Sequence, residues 1–137
     1  MIIADTSAWI DAQRGNRRSS GVHLERLLER EADVAVTEPV IMELLAGCRT
    51  DREVATTRRR LLGLTLARVG GLDTYERAAA VERACRRAGE PIRSGMDCLI
   101  AAVAIVNEAT LLHSDRDFDV IARHTELEIE SVPRVGT

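Results

Sequence analysis

Three short apolar runs, Ile2-Ile3-Ala4, Val34-Ala35-Val36 and Thr110-Leu111-Leu112-His113, constrain this chain more than anything else in it. Each is too short for a helix and lacks polar alternation, which is the pattern of a strand covered on both faces. Stretches with helical spacing lie between them, so the strands must pair through crossovers. That arrangement predicts an α/β fold, a mostly parallel sheet with helices on both sides. Two further runs, 64–69 and 128–132, bring the expected sheet to four or five strands.

The helices follow from their ends and faces. Residues 6–12 begin one directly after the first strand, with Thr6 or Ser7 available as N-cap. The polar stretch 13–21 reads as a turn-rich loop, and 22–31 carries Leu24, Leu27 and Leu28 on one helical face. Thr37 is placed to cap a helix with Pro39 in its first turn and Gly47 near its end. Helices over 53–62, 73–87, 94–107 and 118–123 complete the pattern, and 94–107 is the most apolar. No repeat, linker or low-complexity segment interrupts it, so residues 1–137 are expected to form a single domain.

Composition mostly excludes. With 45% hydrophobic residues the chain is not disordered, and its longest apolar stretch, 99–106, is too short to cross a bilayer. The N-terminus has no basic region before its apolar residues, which argues against a signal peptide. Cys48, Cys85 and Cys98 are odd in number and lack metal-ligand spacing, as expected of reduced thiols in a cytoplasmic protein. A net charge of −3 rules out a generic polyanion binder. All 19 basic residues are nevertheless arginine, whose fork matches phosphate bidentately, although a GC-rich genome alone would produce the same bias.

Four carboxylates stand beside apolar runs instead of in hydrophilic tracts. They are Asp5 after Ile2-Ile3-Ala4, Glu43 in Met42-Glu43-Leu44, Asp97 in Met96-Asp97-Cys98-Leu99, and Asp115 shortly after Leu111-Leu112. A charge held near a core is costly unless it is paired, hydrogen-bonded or bound to a metal. Asp5 and Asp115 follow strands, which puts both at the carboxyl edge of the sheet, where such folds bind ligands at a reversal of strand order. Clustered carboxylate oxygens suit hard divalent cations, and Mg²⁺ is often held by one or two of them together with substrate phosphates. The expectation is a metal-dependent phosphoryl-transfer site.

Taken singly, each acid also has an ordinary explanation. Asp5 is positioned to cap the helix that follows it, and Glu43 to rim the core. Ser94-Gly95-Met96-Asp97 matches a capping box with Asp in place of Glu, in a first turn that favours negative charge. Asp115 suits an Asx turn.

Together the segments resemble the signatures of PIN domains. These segments are Ile3-Ala4-Asp5-Thr6-Ser7-Ala8, Glu43 on a helix, Asp97-Cys98-Leu99-Ile100-Ala101-Ala102, and His113-Ser114-Asp115-Arg116-Asp117-Phe118. The arrangement is similar to the VapC toxins of bacterial toxin–antitoxin modules, over residues 2–132. The resemblance implies a three-layer α/β/α sandwich and a ribonuclease dependent on Mg²⁺ or Mn²⁺, with Asp5, Glu43, Asp97 and Asp115 as its acids. It also implies a VapB-type antitoxin, a homodimer within the toxin–antitoxin complex, and products bearing a 3′-hydroxyl and a 5′-phosphate. His113 departs from the Thr common in related toxins. Asp117 and Asp119 follow Asp115, so which acids face the metal is left open, with Asp115 favoured and Asp117 a secondary contact.

Ser7 and Thr6 are supporting candidates through their hydroxyls, weighed against capping. His23, His113 and His124 share no ligand spacing and read as structural or surface residues. Trp9, Tyr75 and Phe118 are the only aromatics, too few to grip single-stranded RNA by stacking. Arg14, Arg17, Arg18 and Arg93 are therefore the candidates for holding RNA. The apolar helix around Val40 to Leu45, with Trp9, is expected to offer an apolar groove to the antitoxin. Two other function classes share these residues: a metal-dependent DNA nuclease or phosphatase, and a non-catalytic PIN interaction module. An aspartyl-nucleophile phosphatase is disfavoured, because Asp5-Thr6-Ser7 lacks a second Asp two residues on.

Overall fold

The apolar runs pair side by side. In the computed structural model, which describes residues 1–133, β1 (Ile2–Ala4), β2 (Val34–Val36), β3 (Thr65–Leu66), β4 (Thr110–Leu112) and β5 (Glu128–Ile129) form one sheet. Its order is β3-β2-β1-β4-β5, and every neighbouring pair is parallel. Ile3 is level with Ala35 on one side and Leu111 on the other. Ile3, Ala4, Val34, Ala35, Val36, Leu111 and Leu112 are all buried, so the central strands are covered on both faces.

Among the described residues seven helices provide that cover: α1 (Thr6–Arg14), α2 (Ser19–Glu29), α3 (Glu38–Ala46), α4 (Asp51–Leu62), α5 (Leu72–Arg87), α6 (Gly95–Val106) and α7 (Arg116–His124). The expected three-layer α/β/α arrangement is what results. α6, read from sequence as the most apolar helix, buries Cys98, Ile100 and the run Ala101 to Ala104. Trp9 and Phe118 are fully buried, and Arg60 lies over the Trp9 ring at 5.4 Å. The three cysteines are free thiols, and burial pushes the Cys98 thiol up to about 12.

The α1–α2 pair and the two edge strands differ from the sequence reading for identifiable reasons. α1 and α2 both extend into the polar stretch 13–21, because Gly15 adopts a left-handed φ of 59° that ends α1 sharply and lets the chain turn back. α2 then packs so close to α1 that a Cβ on Gly21 would stand 2.7 Å from the Ala12 backbone nitrogen, a distance only glycine permits. β3 and β5 pair over just two positions each, shorter than the apolar runs that suggested them, since each edge strand has a neighbour on one side alone.

The strand order reverses between β1 and β4: from β1 the chain builds outward through β2 and β3, then returns to the other side for β4 and β5. A crevice at the carboxyl ends of the strands is expected at such a point. The Asp5 N–H donates to the Leu112 carbonyl at 3.0 Å, which carries the ladder one residue past β1 and pins Asp5 against the end of β4.

Candidate metal centre

Asp5 is 3% exposed and acts as N-cap of α1, its Oδ1 accepting from the Ala8 N–H at 3.0 Å. Neither Thr6 nor Ser7 takes the capping role that the sequence offered them. The residue directly after β1 already has the extended backbone of a cap, φ −80° and ψ 177°, which leaves both hydroxyls for other work. The Ser7 hydroxyl donates to Asp5 at 2.7 and 2.9 Å and accepts from the Ser114 N–H at 2.9 Å, tying β1–α1 to β4–α7. The Thr6 hydroxyl donates to Glu43 Oε1 at 2.6 Å, drawing α3 to the start of α1.

Asp115 is the N-cap of α7 and accepts from the Asp117 N–H at 3.0 Å. Asp97 sits in the first turn of α6, where its N–H donates to the Ser94 hydroxyl at 3.2 Å. Among the described residues the reciprocal half of a capping box is not formed, so the Asp97 carboxylate is free to face outward from the helix end. Oxygens of Asp97, Asp115 and Asp117 lie within 4.8 Å of one another. Asp119 points elsewhere: its Oδ1 is 3.1 Å from His113 Nε2, while His113 Nδ1 accepts from the Asp115 N–H at 3.0 Å. Of the two acids between which the sequence left the choice open, Asp117 lies with Asp97 and Asp115, whereas Asp119 lies against His113.

The electrostatics match this crowding. Burial, with added repulsion from Asp97 and Asp115, raises Asp5 to about 7 against the pull of Ala8 and Ser7. Burial likewise raises Asp97 to about 6, helped by the charges of Asp115, Glu43 and Asp117. Glu43 and Asp117 therefore act on Asp97 together, and the buried Asp5 feels the charges of Asp97 and Asp115. Such an all-carboxylate donor set, strained by its own repulsion, fits a hard divalent cation.

Asp11 was not singled out by the sequence. It is 7% exposed on α1 and accepts from Asn16 Nδ2 at 2.9 Å and from the Ser20 hydroxyl at 3.1 Å. Burial alone would raise its pKa, but Asn16, the Ser114 and Ser20 hydroxyls and the charge of Arg18 together hold it below the usual carboxylate value. Its position one turn beyond Ser7, amid Ala8, Trp9 and Ala12, was the available signal. Thr37 was read as a cap, yet its hydroxyl is fully buried and makes no hydrogen bond among the described residues.

The arginine candidates divide. Arg14 lines a groove of about 520 Å³ with Glu43, Leu44 and Arg49. Arg93 lines another of about 480 Å³ with Arg116 and Asp117. Arg17 and Arg18 lie in the α1–α2 turn and line neither groove. The apolar face expected for a partner is smaller than the sequence suggested, since Trp9, Val40 and Leu44 belong to the core, but Met42 stays 53% exposed. His23 and His124 pair with Glu130 and Glu90, the structural roles expected of them.

Comparison with known proteins agrees with this geometry. The pattern that defines the PIN domain matches residues 2–124. The sequence is 45% identical to Ribonuclease VapC11 of Mycobacterium tuberculosis over 132 residues, 96% of this chain and 98% of that protein. The same figures hold for a VapC ribonuclease of Mycobacterium bovis. Among solved structures, the fold is similar to VapBC2 from Rickettsia felis bound to a DNA fragment from its promoter, with a TM-score of 0.74 at 22% identity over 97% of this chain and 100% of that one. The match over residues 2–124 and the near-full-length identity to VapC ribonucleases show that the chain belongs to the PIN-domain family, in its VapC branch.

Proposed function

We propose that this chain is the toxin of a type II VapBC toxin–antitoxin pair and acts as a metal-dependent endoribonuclease on RNA phosphodiesters. The observation that carries this reading is the convergence of Asp97, Asp115 and Asp117 near the strand switch point, close enough to Asp5 and Glu43 for their charges to act on one another. The names of its relatives support the RNA substrate, and the VapBC complexes among its structural neighbours support a VapB-type antitoxin as partner. We further assign it to one domain, a homodimer within that complex, and the cytoplasm. No helix among the described residues is long and apolar enough to cross a membrane.

The residues divide the work. Asp97, Asp115 and Asp117 offer oxygens to Mg²⁺ or Mn²⁺, with Asp5 and Glu43 completing the set. When bound, the metal supplies Lewis-acid stabilisation of charge on the phosphate and acidifies the attacking water. Ser7 fixes the rotamer of Asp5, and Thr6 fixes that of Glu43, so both carboxylates are oriented before any cation arrives. Attack by water needs no ribose 2′-hydroxyl, and with the 3′ oxygen as leaving group it gives the 3′-hydroxyl and 5′-phosphate that the family resemblance implies.

A panel of RNA and DNA oligonucleotides with Mg²⁺, run beside Asp97→Asn, tests the reading. Asn keeps the backbone N–H that Ser94 accepts and loses the charge, so the fold stays and cleavage disappears. RNA cut in the presence of chelator, cleavage by Asp97→Asn at the parental rate, or cutting of DNA alone would refute it. Co-purification with the product of a neighbouring small gene tests the antitoxin arm.

A further inference from the structure

We propose that the groove between Arg93 and Arg116, beside Asp117, is the subsite that holds a phosphate of the RNA strand next to the one being cut. The proposal rests on the ribonuclease reading above and adds the place where substrate is gripped. The groove is about 480 Å³, within the range of small-ligand sites, and buried Ile92 and Val120 form its floor. It opens at the Asp117 end of the acids, so a phosphate there sits to one side of the metal centre.

Three observations favour an anionic occupant. First, both arginines are exposed, and neither makes an ion pair or a side-chain hydrogen bond among the described residues. Second, the acids nearest them are already engaged. Glu90, which also lines the groove, receives Arg123 at 2.6 Å and His124 at 2.8 Å, and Asp117 belongs to the metal cluster. Third, Arg116 is the first residue of α7, where a positive charge opposes the helix dipole. A cation kept at an unfavourable position, without a partner and facing a groove, is matched by a bidentate phosphate.

Substrate chemistry points the same way. Of three aromatics, Trp9 and Phe118 are fully buried and Tyr75 alone is exposed, so the chain has one ring and no platform on which successive bases could stack. Its net charge of −3 gives no general attraction either. Backbone recognition must be local, and this groove offers two forks adjoining the cleavage centre.

The test is steady-state cleavage of a short RNA by the full chain with Mg²⁺ at several salt concentrations, for Arg93→Ala, Arg116→Ala and the double variant. Each arginine lost should raise KM about tenfold, with a smaller fall in kcat. Each should also reduce the salt dependence of binding by about 0.7 in log–log slope, the value for one single-strand phosphate contact. The Mg²⁺-induced rise in Tm should be parental, since neither side chain touches the acids. Arg→Lys at both positions should restore the slope but not the full affinity. Arg30→Ala, at the amino edge of the sheet where α2 leads into β2, controls for loss of one charge. A double variant with parental KM and salt slope, or Arg30→Ala matching it, overturns the subsite and leaves the ribonuclease reading intact. A parent chain that neither binds nor cuts RNA overturns both.

Discussion

At the end of β1, Asp5 caps α1 and is 3% exposed; at the end of β4, Asp115 caps α7 and remains half-buried. The local construction is the same, a central parallel strand followed by an aspartate whose side chain accepts a helix N–H. The surroundings differ. Asp5 is pinned under the sheet edge by the Leu112 carbonyl, Ala8 and Ser7, and its charge meets the cost of burial. Asp115 shares its end of the cluster with Asp117 and keeps access to water. One junction is a rigid wall and the other an open lip, and Ser7 spans the two through Ser114. On the proposed reading, the buried acid would serve as a foundation and the half-buried ones would meet the ligand.

Substituting the wall gives the largest expected effect. Asp5→Asn retains a capping oxygen and loses the buried charge. It should lower RNA cleavage more than about a hundredfold, beyond what loss of an outer-shell partner costs. Its metal-free Tm should equal or exceed the parent's, while its rise in Tm with Mg²⁺ shrinks. Parental activity in this variant would break the contrast between wall and lip.

Titration follows. Asp5 at about 7 and Asp97 at about 6 both lie above the ordinary 3.8, so the folded chain binds protons that the unfolded chain has already released. Metal-free stability from these groups is therefore greatest below pH 4 and falls as pH rises toward 7. Mg²⁺ competes with those protons and should raise Tm more at pH 8 than at pH 5. Melts across pH, with and without metal, check both slopes; Asp5→Asn should flatten the metal-free one.

Removing the tie is milder. Ser7→Ala takes away a donor to Asp5 and the acceptor of the Ser114 N–H, and should cost about ten- to a hundredfold in activity with the fold retained. Because that hydroxyl lowers the Asp5 pKa, the pH dependence should move upward. A parental profile would show that the two junctions do not need the tie.

The smallest effect is expected at Asp119. Its carboxylate contacts His113 and is 58% exposed, so Asp119→Asn should change stability by less than about 0.5 kcal/mol and leave the Mg²⁺ response parental. Loss of that response would reverse the assignment between Asp117 and Asp119.

Much of this was legible in the chain because it is local. Strands β1, β2 and β4 are continuous apolar runs, and Asp5 and Asp115 follow two of them, so the carboxyl edge could be located from adjacency alone. Glu43 was different: nothing around it says that Thr6, 37 positions away, would donate to it, and the family pattern supplied only its place among the acids. Asp11 stayed hidden because Asn16 and Ser20 reach it only once α1 turns back at Gly15. His113 stood out as a departure from the family, but its contact with Asp119 depends on a ring orientation that no spacing encodes. The edge strands were overlong in the reading because apolar character marks burial, whereas pairing needs a neighbour.

The double use of Asp5 and Asp115 as helix caps bears on how this gene can change. Asn caps a helix about as well as Asp, and the two codons differ by a single base. One replication error at either position is expected to give a chain that folds, persists and still presents its surface to a partner, but has lost its cutting centre. On the proposed reading, silenced copies that still sequester antitoxin would lie a single base change from the active form.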